Sequence, residues 1–196
     1  MELVFATHNP NKIKEVRLLL PAHIRLHTLE SLGCYTDIPE TGATLEENAR
    51  LKADYVAGRY GLPCFADDTG LLVNALHGAP GVHSARYAGG QKSAGDNMDK
   101  LLRELENTHD REARFETVIA LVQDGDTRFF KGEVRGTITR EKSGQGGFGY
   151  DPVFMPDGYD RTFAALPLEV KNRISHRARA LQELIAYLQG PGAGGA

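Results

Sequence analysis

The pair Asp67-Asp68, set in Ala66-Asp67-Asp68-Thr69-Gly70, stands where an apolar run meets a turn. A carboxylate at a strand's end can hold Mg²⁺, which takes oxygen ligands and keeps several waters. Alternation along a strand sends neighbouring side chains to opposite faces, so one aspartate of the two aims at any given site. Taken alone, the pair also reads as an Asx-type turn with solvated carboxylates. Glu40, Glu46 and Glu47 are further carboxylates. Glu47 has a competing task in a capping box with Thr44, whereas Glu40 sits in a turn without one and is the better metal candidate. Lys52 follows on the same helix, where a site lysine and a solvated one are equally compatible with the pattern.

Three other segments carry chemistry. Thr7, His8, Asn9, Pro10, Asn11 and Lys12 lie at a strand-to-helix junction. Backbone N–H groups and the positive end of a helix face one point there, and Lys12 adds a full charge for an anion. An ordinary capped helix with an exposed lysine is the competing reading. The Gly-rich spacing of a Walker A loop is absent. Gly146-Gly147-Phe148-Gly149-Tyr150-Asp151 places an aromatic ring between glycines, so that a flat ligand can approach Phe148 and stack on it. A tight turn that plugs Phe148 into the core fits the same residues. Finally, Lys171 and Ser175-His176-Arg177 bring donors to the start of the last helix. Donors facing the six-position edge of a purine favour a keto oxygen over an amino group. An exposed helix cap is the alternative.

The elements that position these residues follow from periodicity and punctuation. Residues 2–7 predict a buried strand, then a helix with Asn9 as N-cap and Pro10 in its first turn. Residues 24–29 predict a second strand. The helix opened by Thr44 runs to about Tyr60 and stops at Gly61. Residues 63–66 predict a short strand ending at the aspartates, with a separate apolar run at 71–73. A helix carries Met98, Leu101, Leu102 and Leu105, and two long strands at 113–123 and 127–140 join through Asp124-Gly125-Asp126. A last helix spans about 176–188 behind Ser175. The pattern implies a mixed-sheet α/β fold, organised as one two-lobed domain over 1–189 with a flexible glycine-rich tail at 190–196.

Bulk properties narrow the class. A net charge of -3 over 196 residues argues against a protein that coats nucleic acid, yet allows a local anion site. No apolar stretch approaches the ~20 residues that span a bilayer. The chain opens on a strand-like run with no signal-peptide pattern, and Cys34 and Cys64 lack CxxC spacing. Buried free thiols in a reducing cytoplasm are the expectation.

The order of the motifs is more specific than any one of them. ATHNPNKIKE, ETGATLEENA, ADDTGLLVNALHGAPGVHSARY, GGFGYDPVF and SHRARAL together resemble the inosine/xanthosine triphosphate pyrophosphatase family over residues 3 to about 188. The resemblance implies an elongated mixed β-sheet flanked by helices, with two lobes and a central cleft, and a homodimer. It implies hydrolysis of ITP, dITP and XTP to monophosphate and pyrophosphate, which cleanses the nucleotide pool. By matching motif, Asp68 is the catalytic proton acceptor and a Mg²⁺ ligand, with Glu40 as the second ligand. Thr7 through Lys12 receive phosphate, Thr69 is a neighbouring substrate contact, and Phe148, Gly149, Tyr150, Asp151, Lys171, His176 and Arg177 receive the base. Pro39 replaces an acidic residue found in many relatives, and His8 a small one.

The mechanism this implies is attack of water on the α-phosphorus, with Asp68 removing the proton and Lys12 and Lys52 neutralising the departing pyrophosphate. A pyrophosphatase for modified pyrimidine nucleotides and a purine nucleotide sensor without turnover are the rival readings.

Overall fold

The computed structural model describes residues 1–190. The anticipated tail, beyond Gly190, lies outside the described residues. The elements are β1 (Glu2–Phe5), α1 (Pro10–Leu19), β2 (Arg25–Thr28), α2 (Leu45–Tyr60), β3 (Cys64–Val73), β4 (Pro80–Gly81), α3 (Ala94–Glu104), β5 (Glu112–Gln123), β6 (Asp126–Ile138), β7 (Phe154–Pro156), α4 (Leu168–Ile174) and α5 (His176–Gln189). The strands form one seven-stranded sheet in the order β2-β1-β3-β5-β6-β7, with β4 on β3. β1 runs parallel to β2 and β3, whereas β4 and β7 pair antiparallel to β3 and β6. The mixed-sheet α/β fold is therefore as the sequence implied. The parallel pairs need helical crossovers, which α1 and α2 supply.

Two compact units share the chain. The first comprises Met1–Asp68, Thr117–Gly132 and the residues from Arg177 onward, and the second comprises Thr69–Glu116 and Glu133–His176. In the first unit, alternation sorts the strands cleanly. Leu3, Phe5, Phe65, Ile119 and Leu121 face a core that includes Val16 of α1 and Leu181 and Leu184 of α5. Val4, Ala6, Cys64, Ala66 and Ala120 face the other, which includes Ala49, Ala53 and Val56 of α2. Phe5 and Phe65 are register partners, and their rings stack at 4.5 Å. The second unit has its own core of Leu71, Leu101, Leu105, Phe115, Phe154 and Phe163.

The helix signals act as read. Asn9 accepts from the amides of Asn11 and Lys12, and Thr44 and Glu47 form a reciprocal capping box before Gly61 ends α2 in the left-handed region. Asp124 and Gly125 both have positive φ, as a two-residue turn between β5 and β6 requires.

Two expectations are corrected. The strand expected to stop at the aspartates continues through them to Val73 as β3, because both carboxylates are buried with partners and need no solvated turn. α4 was not anticipated from the sequence; it has seven residues, too few to show a periodic apolar face. Cys34 and Cys64 are buried free thiols, as expected, and burial pushes the Cys64 thiol up to about 12. Among the described residues no helix is long and apolar enough to cross a membrane.

Candidate active site

The alternation of β3 decides what each aspartate does. Asp67 continues the face of Phe65, toward α1 and α5. There its Oδ1 accepts from Lys12 Nζ at 2.9 Å and its Oδ2 from Arg177 Nε at 3.0 Å. Asp68 continues the face of Ala66, toward α2. Its Oδ2 accepts from Asn48 Nδ2 at 3.1 Å, and Lys52 Nζ lies 3.8 Å from its Oδ1. One pleat thus separates two adjacent carboxylates into two environments.

Electrostatics separates them further. Burial opposes the charge of Asp67, but Lys12, Arg177 and Lys52 outweigh it and hold the carboxyl well below the usual range. Asp68 moves the other way. Burial pushes it up, Glu40 adds to the rise, and Lys52, Lys12 and the Asn48 hydrogen bond only partly offset it. Two neighbouring acids whose affinities are driven apart is the pattern by which one fold holds a permanent anion and a proton acceptor. Asp67 is the more firmly ionised of the two, and Asp68 holds a proton more readily.

Lys52, open to two readings in the sequence, is buried. Its Nζ donates to Glu40 Oε1 at 2.5 Å and to the Asp67 carbonyl at 2.8 Å. Burial disfavours its charge, yet Asp68, Glu40 and Asp67 keep its pKa raised. Glu40 is therefore gathered with Asp68 around one ammonium. Of the other candidates, Glu47 is spent in the capping box and Glu46 pairs with Lys131. Lys12 is lowered by burial, with Lys52 and Arg177 adding to it, against Asp67.

The phosphate-binding expectation for the start of α1 needs one correction. Asn9 Oδ1 takes the amides of Asn11 and Lys12, and Asn9's own amide goes to Thr7 Oγ1. Thr7 N–H donates to the Phe5 carbonyl, and Ile13 N–H to that of Asn9. The amides that the sequence offered to an anion are thus occupied, those of Asn11 and Lys12 by the Asn9 cap and those of Thr7 and Asn9 by Phe5 and Thr7. That of His8 is the one in this segment without an acceptor among the described residues. The His8 side chain instead meets the Thr36 carbonyl at 3.0 Å, where its Nε2 must act as donor.

Two residues that sequence reasoning passed over join these side chains within the first unit. Glu15 is buried, and its Oε2 accepts from Arg177 Nη1 at 2.6 Å. Asn48 holds both Asp68 and the Gly42 amide, the latter at 2.8 Å. Asn48 sits one residue beyond the capping-box Glu47, and Glu15 one helical turn beyond Lys12. Helical spacing could have placed each beside a residue already chosen.

The aromatic candidates lie in the second unit. Phe148 is half-buried, its amide donates to Asp151 Oδ2 at 2.8 Å, and Lys171 Nζ lies 4.9 Å from the centre of its ring. Lys171 Nζ also donates to Asp151 Oδ2 at 2.5 Å. The glycine before Phe148 is obligatory. Gly147 has φ 68°, and a Cβ there would fall 2.0 Å from Asp151 Oδ2. Tyr150 is buried and donates to the Ser84 carbonyl at 2.8 Å, which pins the loop to its core. His176 is buried too, stacked on Phe115 at 4.5 Å. Thr69 is half-buried in β3, directly after Asp68. Arg177, expected at a base edge, is the largest fully buried side chain and carries two carboxylate contacts; burial opposes its charge, but Asp67 and Glu15 keep its pKa raised.

The Ham1 family model matches residues 3–187. This chain belongs to the Ham1 family. A protein of Flavobacterium johnsoniae called dITP/XTP pyrophosphatase is 56% identical over 96% of this chain and 98% of its own length. One of the same name from Porphyromonas gingivalis is 54% identical over 95% and 97%. The solved Ham1 protein of Staphylococcus aureus superposes with a TM-score of 0.88 at 44% identity, covering 97% of this chain and 99% of that one. Membership thus extends over both units of the Ham1 fold described above.

Proposed function

We propose that this Ham1-family protein hydrolyses deaminated purine nucleoside triphosphates, ITP, dITP and XTP, to the monophosphate and pyrophosphate. It would thereby remove them from the nucleotide pool before polymerases use them. The relatives named dITP/XTP pyrophosphatase support the substrate class. The observation that carries the chemistry is the placement of the adjacent aspartates on opposite faces of β3, Asp67 tied to Lys12 and Arg177 and Asp68 set beside Asn48 and Lys52; burial raises the proton affinity of Asp68.

In this reading Asp68 takes the proton from the attacking water, a role suited to a carboxylate shifted toward neutral pH. Asn48 and Lys52 orient it. Lys12 and Lys52 meet phosphate oxygens, with the His8 amide as the backbone donor of the turn. Thr69 is a further contact. The purine is assigned to Phe148, Gly149, Tyr150 and Asp151, with stacking on the Phe148 ring and Lys171 holding Asp151 in place. The keto edge is assigned to His176 and Arg177, and Arg177 also fixes Asp67.

A Mg²⁺ ion fits the donor set. Around Lys12, Lys52 and Arg177 stand four carboxylates, Glu15, Glu40, Asp67 and Asp68. That excess of negative charge disfavours a triphosphate unless a cation joins it. Asp68 and Glu40 would hold the ion, consistent with Mg²⁺ bound by one or two carboxylates plus substrate oxygens. Among the described residues no group of three acidic, His or Cys side chains forms a dedicated metal cage. When bound, the ion would neutralise phosphate charge. A homodimer, cytoplasmic location and one continuous functional domain over 1–189 complete the proposal.

The deciding experiment measures pyrophosphate and inorganic phosphate release from inosine, xanthosine, guanosine, adenosine and pyrimidine triphosphates, with and without Mg²⁺. Pyrophosphate release from the inosine and xanthosine substrates, dependent on Mg²⁺, is expected. Release of inorganic phosphate, or equal turnover of ATP, rejects the reading.

A further inference from the structure

A second cluster of charge lies within the second unit and shares no residue with those assigned above. Leu102, Arg103, Glu106, Arg111 and Arg140 line a cavity of about 320 Å³ at the end of α3. That is at the lower end of the volumes of small-ligand sites, and the hollow is open to solvent. Arg111 is buried, and its guanidinium donates only to carbonyls: Nε to Ile138 at 2.7 Å, Nη1 to Leu105 at 2.6 Å and Nη2 to Thr139 at 2.8 Å. No carboxylate of the described residues lies within ion-pair distance of Arg103, Arg111 or Arg140. Asp110, next to Arg111 in the chain, does not line this cavity, and its Oδ1 accepts from the Glu112 amide.

Buried cations are normally paired, and neutral carbonyls satisfy a guanidinium's hydrogen bonds without cancelling its charge. Burial and the charge of Arg140 together lower the pKa of Arg111, so the cluster repels itself as it stands. The C-terminal dipole of α3 favours one cation nearby. It does not account for three around one cavity. Against the single Glu106, the three arginines leave an excess of two positive charges, which a dianion would balance. Planar guanidinium groups match the oxygens of phosphate in paired contacts.

We propose that this cavity is a binding site for a small phosphate-bearing dianion, held by Arg103 and Arg140 against the fixed guanidinium of Arg111. Arg111 is also structural, so its removal would unfold the carbonyls it ties together. The informative change is Arg103→Ala with Arg140→Ala, since both side chains are exposed. The full chain, in a chelator that removes divalent metal, is titrated separately with inorganic phosphate, pyrophosphate and a nucleoside monophosphate. The readout is the arginine side-chain N–H resonances.

At least one of the three is expected to shift the Arg111 Nε–H signal saturably at submillimolar to millimolar concentration, and the one that binds tightest identifies the source of the phosphate. The double variant is expected to bind about tenfold or more weakly, equivalent to about 1.4 kcal/mol, with its melting temperature unchanged. An Arg111 signal that none of the anions moves overturns the proposal. So does equal affinity in the double variant, which would place binding elsewhere, including at the proposed catalytic residues. Because the site shares no residue with those, failure here leaves the proposed pyrophosphatase activity untouched.

Discussion

At Asp68 one carboxyl group carries both the proposed chemistry and a cost to the fold. Its folded pKa is raised, first by burial and then by Glu40, above the value of about 3.9 for an unfolded aspartate. The folded state therefore holds its proton more tightly than the unfolded one, and stability falls as pH rises through that window. Asp68→Asn mimics the protonated form. It is expected to lower kcat by about 10²–10⁴-fold while melting at or above the wild-type temperature at neutral pH. The difference should shrink as pH falls from the raised folded value toward about 4 and vanish below it, where the wild type is protonated in both states. A variant that is inactive and also less stable at neutral pH would show that the charge of Asp68 supports the fold. Asp67 has the opposite sign. Its depressed pKa stabilises the fold above about pH 4, and that contribution is lost as pH falls toward the folded value. Arg177→Ala strands Asp67 and Glu15 in the interior with a partner missing, so a loss of about 3–5 kcal/mol is expected in urea unfolding. A loss below about 1 kcal/mol would mean that water or a rearranged Lys12 replaces the guanidinium.

Among the elements, α2 does most to assemble the site. Its capping box orients the first turn, Asn48 follows immediately, and Lys52 stands one turn further on. Thr44→Ala should cost about 1 kcal/mol by thermal or urea unfolding. Gly42→Ala tests the same turn from outside. A Cβ at Gly42 would sit 2.6 Å from Glu47 Cβ and 2.9 Å from Asn48 Oδ1. The start of α2 must then shift and take Asn48 with it. Displacements on that scale can cost about 10²-fold in rate, so kcat should fall well beyond what the small change in stability explains. Unchanged kcat in a folded Gly42→Ala protein would remove Asn48 from the positioning of Asp68.

For the whole molecule, stability and the proposed metal requirement should separate. Three apolar clusters are built around the sheet, and among the described residues no cage of metal ligands ties elements together. A ligand stabilises only by its mass-action term. Chelation should therefore abolish turnover while changing the melting temperature of the substrate-free protein by less than about 2 °C, roughly the shift of a half-kilocalorie perturbation in a domain of this size. Loss of the folded state on chelation would identify a structural metal instead.

Much of this was legible in the residues themselves. Asn9 and Thr44 cap helices, Asp124-Gly125 turns a hairpin, and alternation assigned Asp67 and Asp68 to opposite faces, because each depends on interactions a few residues long. The ordered motifs likewise pointed to the family. Nothing local could say which carboxylate is held more firmly in its charged form. That depends on Lys12, Lys52 and Arg177, which stand 55, 15 and 110 residues from Asp67 along the chain. Nor could spacing show that the cap consumes the amides of α1, that Lys52 is buried, or that Arg103, Arg111 and Arg140 share a cavity. Short-range hydrogen bonds and pleat geometry are encoded in neighbouring residues. Burial and long-range charge exist only once the tertiary structure brings distant side chains together and excludes water between them.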